Sequence, residues 1–197
     1  MKVPELKPKI ILASQSPRRR YLLERAGLRF SVIPSELDES SIPMSPPDQY
    51  VRRLATEKAR DIARRYPDSW VIGADTIVWI DGAILGKPEG LDSAREMLHR
   101  LSGQTHQVYT GFTICCRRAD RQITHAVCTD VTFKALSADE IEWYISSDEP
   151  FDKAGAFGIQ EKGVSLFLGI RGSYSNVVGL PLREFLQLLQ ESYGDRM

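Results

Sequence analysis

The chain has 197 residues, 42% of them hydrophobic, which is enough to enclose one sizeable core and too few to support two independent domains. Its 26 basic side chains are matched by 26 acidic ones, which excludes a global field drawing the molecule to nucleic acid or an anionic membrane, so any anion site must be local. Cys115, Cys116 and Cys128 lack metal-ligand spacing and read as reduced core residues; Met1–Lys9 carries two prolines and three lysines but no apolar signal region, so a cytoplasmic location without a membrane partner is expected.

In chain order, an apolar run at Ile10 to Ala13 leads into a helix from Pro17 to Ala26 stopped by Gly27, and Phe30 to Ile33 reads as a second strand. Pro34 to Pro47 is a loop rich in Pro and Ser. A helix from about Asp48 to Arg65 repeats Val51, Leu54, Ala55, Ala59 and Ile62 along one face. Trp70 to Gly73 and Thr76 to Ile80 read as strands, the latter forming a hairpin with Ala83 to Leu85 across Asp81-Gly82. A helix follows from Asp92 to Leu101, then long β runs at Gln107 to Cys115 and Gln122 to Phe133. Ser137 to Glu140 is a capping box that opens another helix. A strand near Val164 to Ile170 and a helix beginning at Pro181 complete the pattern, which is that of a mixed α/β sheet flanked by helices.

The stretch from Leu12 to Arg20 passes from an apolar strand through Ser14 and Ser16 into a helix start carrying Arg18 and Arg19. Free amides at a helix N-terminus together with forked guanidinium groups suit a phosphate. The same residues also read as a capped helix with solvated arginines. The glycines and the Gly-Lys-Ser/Thr ending of a Walker loop are absent, which excludes an ATPase of that type.

Asp75 interrupts an apolar run, expected at a strand end, where a lone carboxylate is costly unless a cation or a donor meets it. Glu36, Asp38 and Glu39 cluster in a loop from which one could join Asp75 around a hard divalent cation. Lys58 and Lys87 can each serve a phosphate or simply be surface charge. His106 has no second ligand at metal spacing and reads as a structural or hydrogen-bonding residue. Asp148 to Gln160 is a connection rich in small residues, with Asp152, Lys153 and Gln160 as polar contacts for a ligand. No elbow or Ser–His or Cys–His signature points to covalent catalysis, so metal-assisted attack by water is favoured.

Eight stretches resemble, in order, the Maf family of septum-formation-inhibitor-like nucleotide pyrophosphatases: LASQSPRR (12–19), ELDES (36–40), ATEKA (55–59), GADTIV (73–78), LGKP (85–88), SGQTHQVYTG (102–111), EPFDKAGAFGIQ (149–160) and SNVVGLPL (175–182). The resemblance implies one elongated, two-lobed α/β domain over residues 1–197 with an inter-lobe cleft, similar to inosine triphosphate pyrophosphatases. It implies hydrolysis between the α and β phosphates with Mg²⁺ or Mn²⁺, by a homodimer that uses a nucleoside triphosphate and no nucleic acid. By matching position, Asp75 resembles the proton acceptor, with Glu39 as its acidic, metal-binding partner; Ser14, Arg18, Arg19, Lys58 and Lys87 resemble phosphate binders. Arg18, Thr76 after the aspartate, and the Gln160 ending are similar to the branch acting on dTTP and UTP, whose base pocket these three residues would complete. Phe157 departs from that branch, which more often has tyrosine there. The family name also leaves open a non-catalytic regulator of septum formation.

Overall fold

In the computed structural model, residues 10–147 and 149–193 are described; Met1–Lys9 and Asp148, both considered above, lie outside them. The apolar run Ile10–Leu12 forms β1, and Ser16 caps α1 (Pro17–Arg25) by accepting the Arg19 amide at 3.4 Å. Pro17 sits in the first turn, where its missing N–H costs nothing. β2 (Ser31–Val32) and a 3₁₀ turn at Glu39–Ser41 precede the long α2 (Pro47–Arg65), which buries the predicted stripe of Val51, Leu54, Ala55, Ala59 and Ile62.

The next strand corrects the sequence reading. Trp70–Ile80 is a single strand, β3, and Asp75 lies in its middle rather than at an end. Nine of its eleven residues are buried, because helices cover both faces, so the period-2 alternation that would have marked one strand is hidden. The hairpin to β4 (Ala83–Leu85) is as predicted: Asp81 and Gly82 take φ of 48° and 76°, the pair of positive values a type I′ turn requires. Then come α3 (Leu91–Leu101), β5 (Thr105–Cys116), β6 (Arg121–Phe133) and α4 (Ala138–Ile145), the last with its Ser137–Glu140 capping box formed.

A second correction falls on Val164 to Ile170. Glu161–Leu166 is a 3₁₀ segment and only Phe167–Arg171 is strand, β7. The amides of Lys162 and Gly163 donate to the Glu149 carboxylate at 3.2 and 3.3 Å, and the Ser165 hydroxyl to the Lys162 carbonyl at 2.9 Å, so local side-chain partners take the place of a sheet ladder. α5 (Tyr174–Val178) and α6 (Leu182–Tyr193) follow.

The strands make one seven-stranded mixed sheet in the order β2-β1-β3-β5-β6-β7, with β4 also on β3. β1 is parallel to β2 and β3, and the other pairings are antiparallel. Cys115 and Cys116 point to opposite faces and join different core clusters, as their adjacency on a strand demands. Cys128 is exposed, contrary to its reading as a core residue, because strand alternation turns it away from its buried neighbour Thr129.

Candidate active site

β3 is paired along one edge with β5 from Val71 to Trp79. Its other edge is divided: β1 takes Trp70 to Ile72 and β4 takes Val78 to Ile80. Among the described residues, Gly73 to Ile77 therefore have no strand partner on that edge, and a cleft of about 700 Å³ opens there. Successive side chains alternate between faces, so Asp75 and Thr76 leave the strand on opposite sides and border the same gap. The apolar lining draws Val78 and Phe157 from one core cluster and Ile159 and Val178 from another.

On the Asp75 side, α2 lies unusually close to the sheet. A Cβ added at Gly73 would fall 2.2 Å from the Ala55 carbonyl oxygen, and one at Gly111 2.4 Å from that of Val51. Only glycine permits this approach at the two positions. Tyr50, Leu54 and Lys58, four residues apart along α2, thereby face the cleft. Lys58 Nζ donates to Asp75 Oδ1 at 2.6 Å and lies 2.8 Å from Glu39 Oε1, so one ammonium joins two carboxylates from distant parts of the chain. Asp75 is 8% exposed, and its charge is tolerable there because of this partner. Burial, then the charges of Asp75 and Glu39, push the Tyr50 hydroxyl above its ordinary value.

On the other side, Arg19 is buried and holds three neutral acceptors: Gly179 O at 2.9 Å, Ser14 Oγ at 3.1 Å and Thr76 Oγ1 at 3.0 Å. Thr76 continues through the Thr110 hydroxyl at 2.9 Å to the Asn176 carbonyl at 2.9 Å, so its hydroxyl belongs to a chain that fixes Arg19. Among the described residues Arg19 forms no ion pair. Burial pulls its guanidinium below the ordinary value, with the charge of Asp75 acting against that. The reading of these arginines as solvated therefore fails for Arg19 and holds for Arg20, which pairs with Glu24 at 2.8 Å on the outer face.

The third wall is the segment from Glu149 to Gln160. Asp152 accepts from Arg18 at 2.6 Å and from Lys153 at 2.7 Å; burial raises its carboxyl, but these contacts outweigh burial and hold it below the usual range. Phe157 makes T-shaped contacts with the rings of His106 and Phe133, at centroid distances of 5.1 and 4.9 Å. His106 is 1% exposed and neither ring nitrogen has a partner among the described residues, so of its two expected roles the packing one is realised. Burial depresses its imidazole to about 4.

All nine residues expected to carry substrate or catalysis line this cleft, with Lys87 exposed and Gln160 half-buried. Among the lining residues to which the sequence reading gave no site role are Tyr50 and Leu54; their place on the same four-residue repeat of α2 as Lys58 was the available signal. Of the acidic loop, Glu39 alone reaches Lys58, whereas Asp38 caps the 3₁₀ turn by accepting the Ser40 amide at 3.0 Å.

A family model described as Maf-like protein matches residues 9–192. The chain belongs to the Maf-like protein family. Its curated relatives include the dTTP/UTP pyrophosphatase of Syntrophus aciditrophicus (strain SB), 50% identical across 94% of this chain and 91% of that protein. Those of Myxococcus xanthus (strain DK1622) and Clostridioides difficile (strain 630), with the same name, are 49% and 46% identical, covering 93% and 94% of this chain and 92% and 95% of theirs. This Maf-like chain has no helix, among the described residues, long and apolar enough to cross a membrane.

Proposed function

We propose that this Maf-like chain hydrolyses dTTP and UTP to the nucleoside monophosphate and pyrophosphate, using a divalent cation, Mg²⁺ or Mn²⁺. The observation that carries the reading is the pairing of two unlike subsites across the gap in β3: a carboxylate pair, Asp75 and Glu39, and a buried arginine without a counter-ion among the described residues. A desolvated guanidinium that meets only neutral acceptors is completed by an anion, and phosphate matches its fork. The names of relatives at 46–50% identity over most of the chain support the same substrate class.

The residues present fit a hard cation. Asp75 and Glu39 offer carboxylate oxygens to one point, now held by the Lys58 ammonium, and Mg²⁺ characteristically takes one or two carboxylates with the remainder from phosphates and water. Among the described residues no group of three or more His, Cys, Asp or Glu converges, so the phosphates would complete the set. Asp75 and Glu39 would hold the ion, which supplies charge neutralisation and Lewis acidity at the phosphates.

In this reading, Asp75 accepts the proton of a water that attacks the α-phosphorus, breaking the bond to the β-phosphate bridging oxygen. Arg19, Lys58, Lys87 and Ser14 bind the phosphates and neutralise the departing pyrophosphate; Arg19 is preset by its three hydrogen bonds, so little reorganisation is needed. Gln160, which lines the cleft, offers one donor and one acceptor to the acceptor–donor–acceptor edge of uracil or thymine.

The test is a panel of nucleoside triphosphates assayed for monophosphate and pyrophosphate, with and without EDTA. dTTP and UTP should lead, EDTA should abolish turnover, and Gln160→Leu should depress dTTP hydrolysis far more than it alters metal affinity. Purine preference would overturn the base assignment, and inertness toward every triphosphate would leave the non-catalytic regulator.

A further inference from the structure

Asp152 is out of place in a cleft for a polyanion. It lines the cavity, its side chain is half exposed, and a carboxylate there repels phosphates unless it performs some service. Its contacts show what it joins. Arg18 grips it twice, NH1 on Oδ2 at 2.6 Å and NH2 on the main-chain carbonyl at 3.1 Å, so the first turn of α1 is tied to the opposite wall. Lys153 Nζ meets Oδ1 at 2.7 Å and also donates to the Glu149 carbonyl. The Lys153 stem then lies across Gly158, where an added Cβ would come within 2.8 Å of its Cε. Gly158 is two residues before Gln160.

The same segment is under strain that its surroundings must restrain. Gly155 and Ala156 are consecutive left-handed residues, φ 70° and 59°, and Ala156 has no glycine's licence for that conformation. The Gly155 amide also donates to the Gly86 carbonyl at 2.9 Å, next in sequence to Lys87. The wall is thus clamped at two points, with Asp152 as the clamp to α1.

We propose that Asp152 is a positioning residue which, by gripping Arg18 and Lys153 together, holds Gly158 to Gln160 at a fixed distance from α1 and so sets the width of the nucleobase end of the cleft. Selection of pyrimidine over purine then depends on a residue that need not touch the base. The inference rests on the pyrophosphatase reading above.

Asp152→Asn keeps the shape and the main-chain contact to Arg18 but removes the charge that holds two cations; Asp152→Glu keeps the charge. Steady-state kinetics on dTTP and dATP should show the Asn variant losing about tenfold in the ratio of their kcat/KM values, chiefly through KM for dTTP, with kcat within about twofold. The Glu variant should recover part of the ratio. Hydrogen exchange gives a readout independent of turnover: the amides of residues 153–160 should exchange faster in the Asn variant while those of α2 do not. A lowered KM for dTTP would mean that Asp152 competes with substrate for the cations and would overturn the proposal, as would an unchanged ratio with unchanged exchange. A wild-type protein inert toward every triphosphate would sink the pyrophosphatase reading instead, with the exchange result still deciding whether Asp152 positions the segment.

Discussion

Gly73→Ala is the sharpest test of how this fold builds its site. The new Cβ would lie 2.2 Å from the Ala55 carbonyl oxygen, 2.7 Å from the Ala59 amide nitrogen and 2.9 Å from the Ala59 Cβ. Two of these three atoms are backbone, so no side chain can swing aside, and restoring ordinary contact at about 3.5 Å requires α2 to lift by roughly 1 Å. Overpacking of this kind costs about 1–3 kcal/mol. In a chain of this size that lowers Tm by roughly 2–12 °C. The functional loss should be larger than the stability loss suggests, because α2 carries Lys58 and its 2.6 Å contact with Asp75, and a misplacement near 1 Å can cost ~10²-fold in rate. Thermal melts and dTTP turnover on the same preparations would measure both, with Gly169→Ala as control, since nothing lies within 4 Å of a Cβ there. If Gly73→Ala matched wild type in Tm and in rate, the close approach of α2 could not be what brings Lys58 to Asp75.

Other substitutions probe the remaining walls. Asp75→Asn should reduce turnover by ~10²–10⁴-fold with the fold retained, and a variant with more than about a tenth of the wild-type rate would refute the assignment of Asp75 as proton acceptor. Arg19→Ala should raise KM for dTTP and also lower Tm by several degrees, because it strips the donor from three partly or wholly buried acceptors; Lys87→Ala, at an exposed residue, should raise KM alone, and equal effects on Tm would contradict that contrast. His106 is held neutral down to about 4 in the fold but takes a proton near 6.5 when unfolded, so the unfolded chain binds more protons in that window and stability falls as pH drops from 6.5 to 4. The loss amounts to about 3 kcal/mol at the lower end. His106→Phe, which keeps the ring packing, should flatten this part of the stability curve measured by denaturant titration, whereas an unchanged slope would assign the acid sensitivity to other groups.

Most of the elements were legible because their signals are local. Ser16-Pro17 at a helix start, Asp81-Gly82 in a two-residue turn and the Ser137–Glu140 box each act within four residues, and each formed as read. The failures share a cause. Burial on both faces of β3 erases the alternation that marks one strand, and the strand pattern at Val164 to Leu166 yields because the Glu149 carboxylate that captures the neighbouring amides lies more than ten residues away. The chain's own chemistry determined which side chains had to be accounted for: a carboxylate in an apolar run, arginines at a helix start, an acidic loop. Tertiary structure decided what each one meets. It selected Glu39 over Glu36 and Asp38 by where the 3₁₀ turn meets Lys58, buried Arg19 and left Arg20 outside, and set Asp75 beside a gap that exists because two short strands divide one edge of β3. Residue spacing specifies neighbours along a helix or a strand, whereas distances across the cleft depend on how closely a helix can lie on the sheet, and here two glycines that carry no chemistry of their own fix that height.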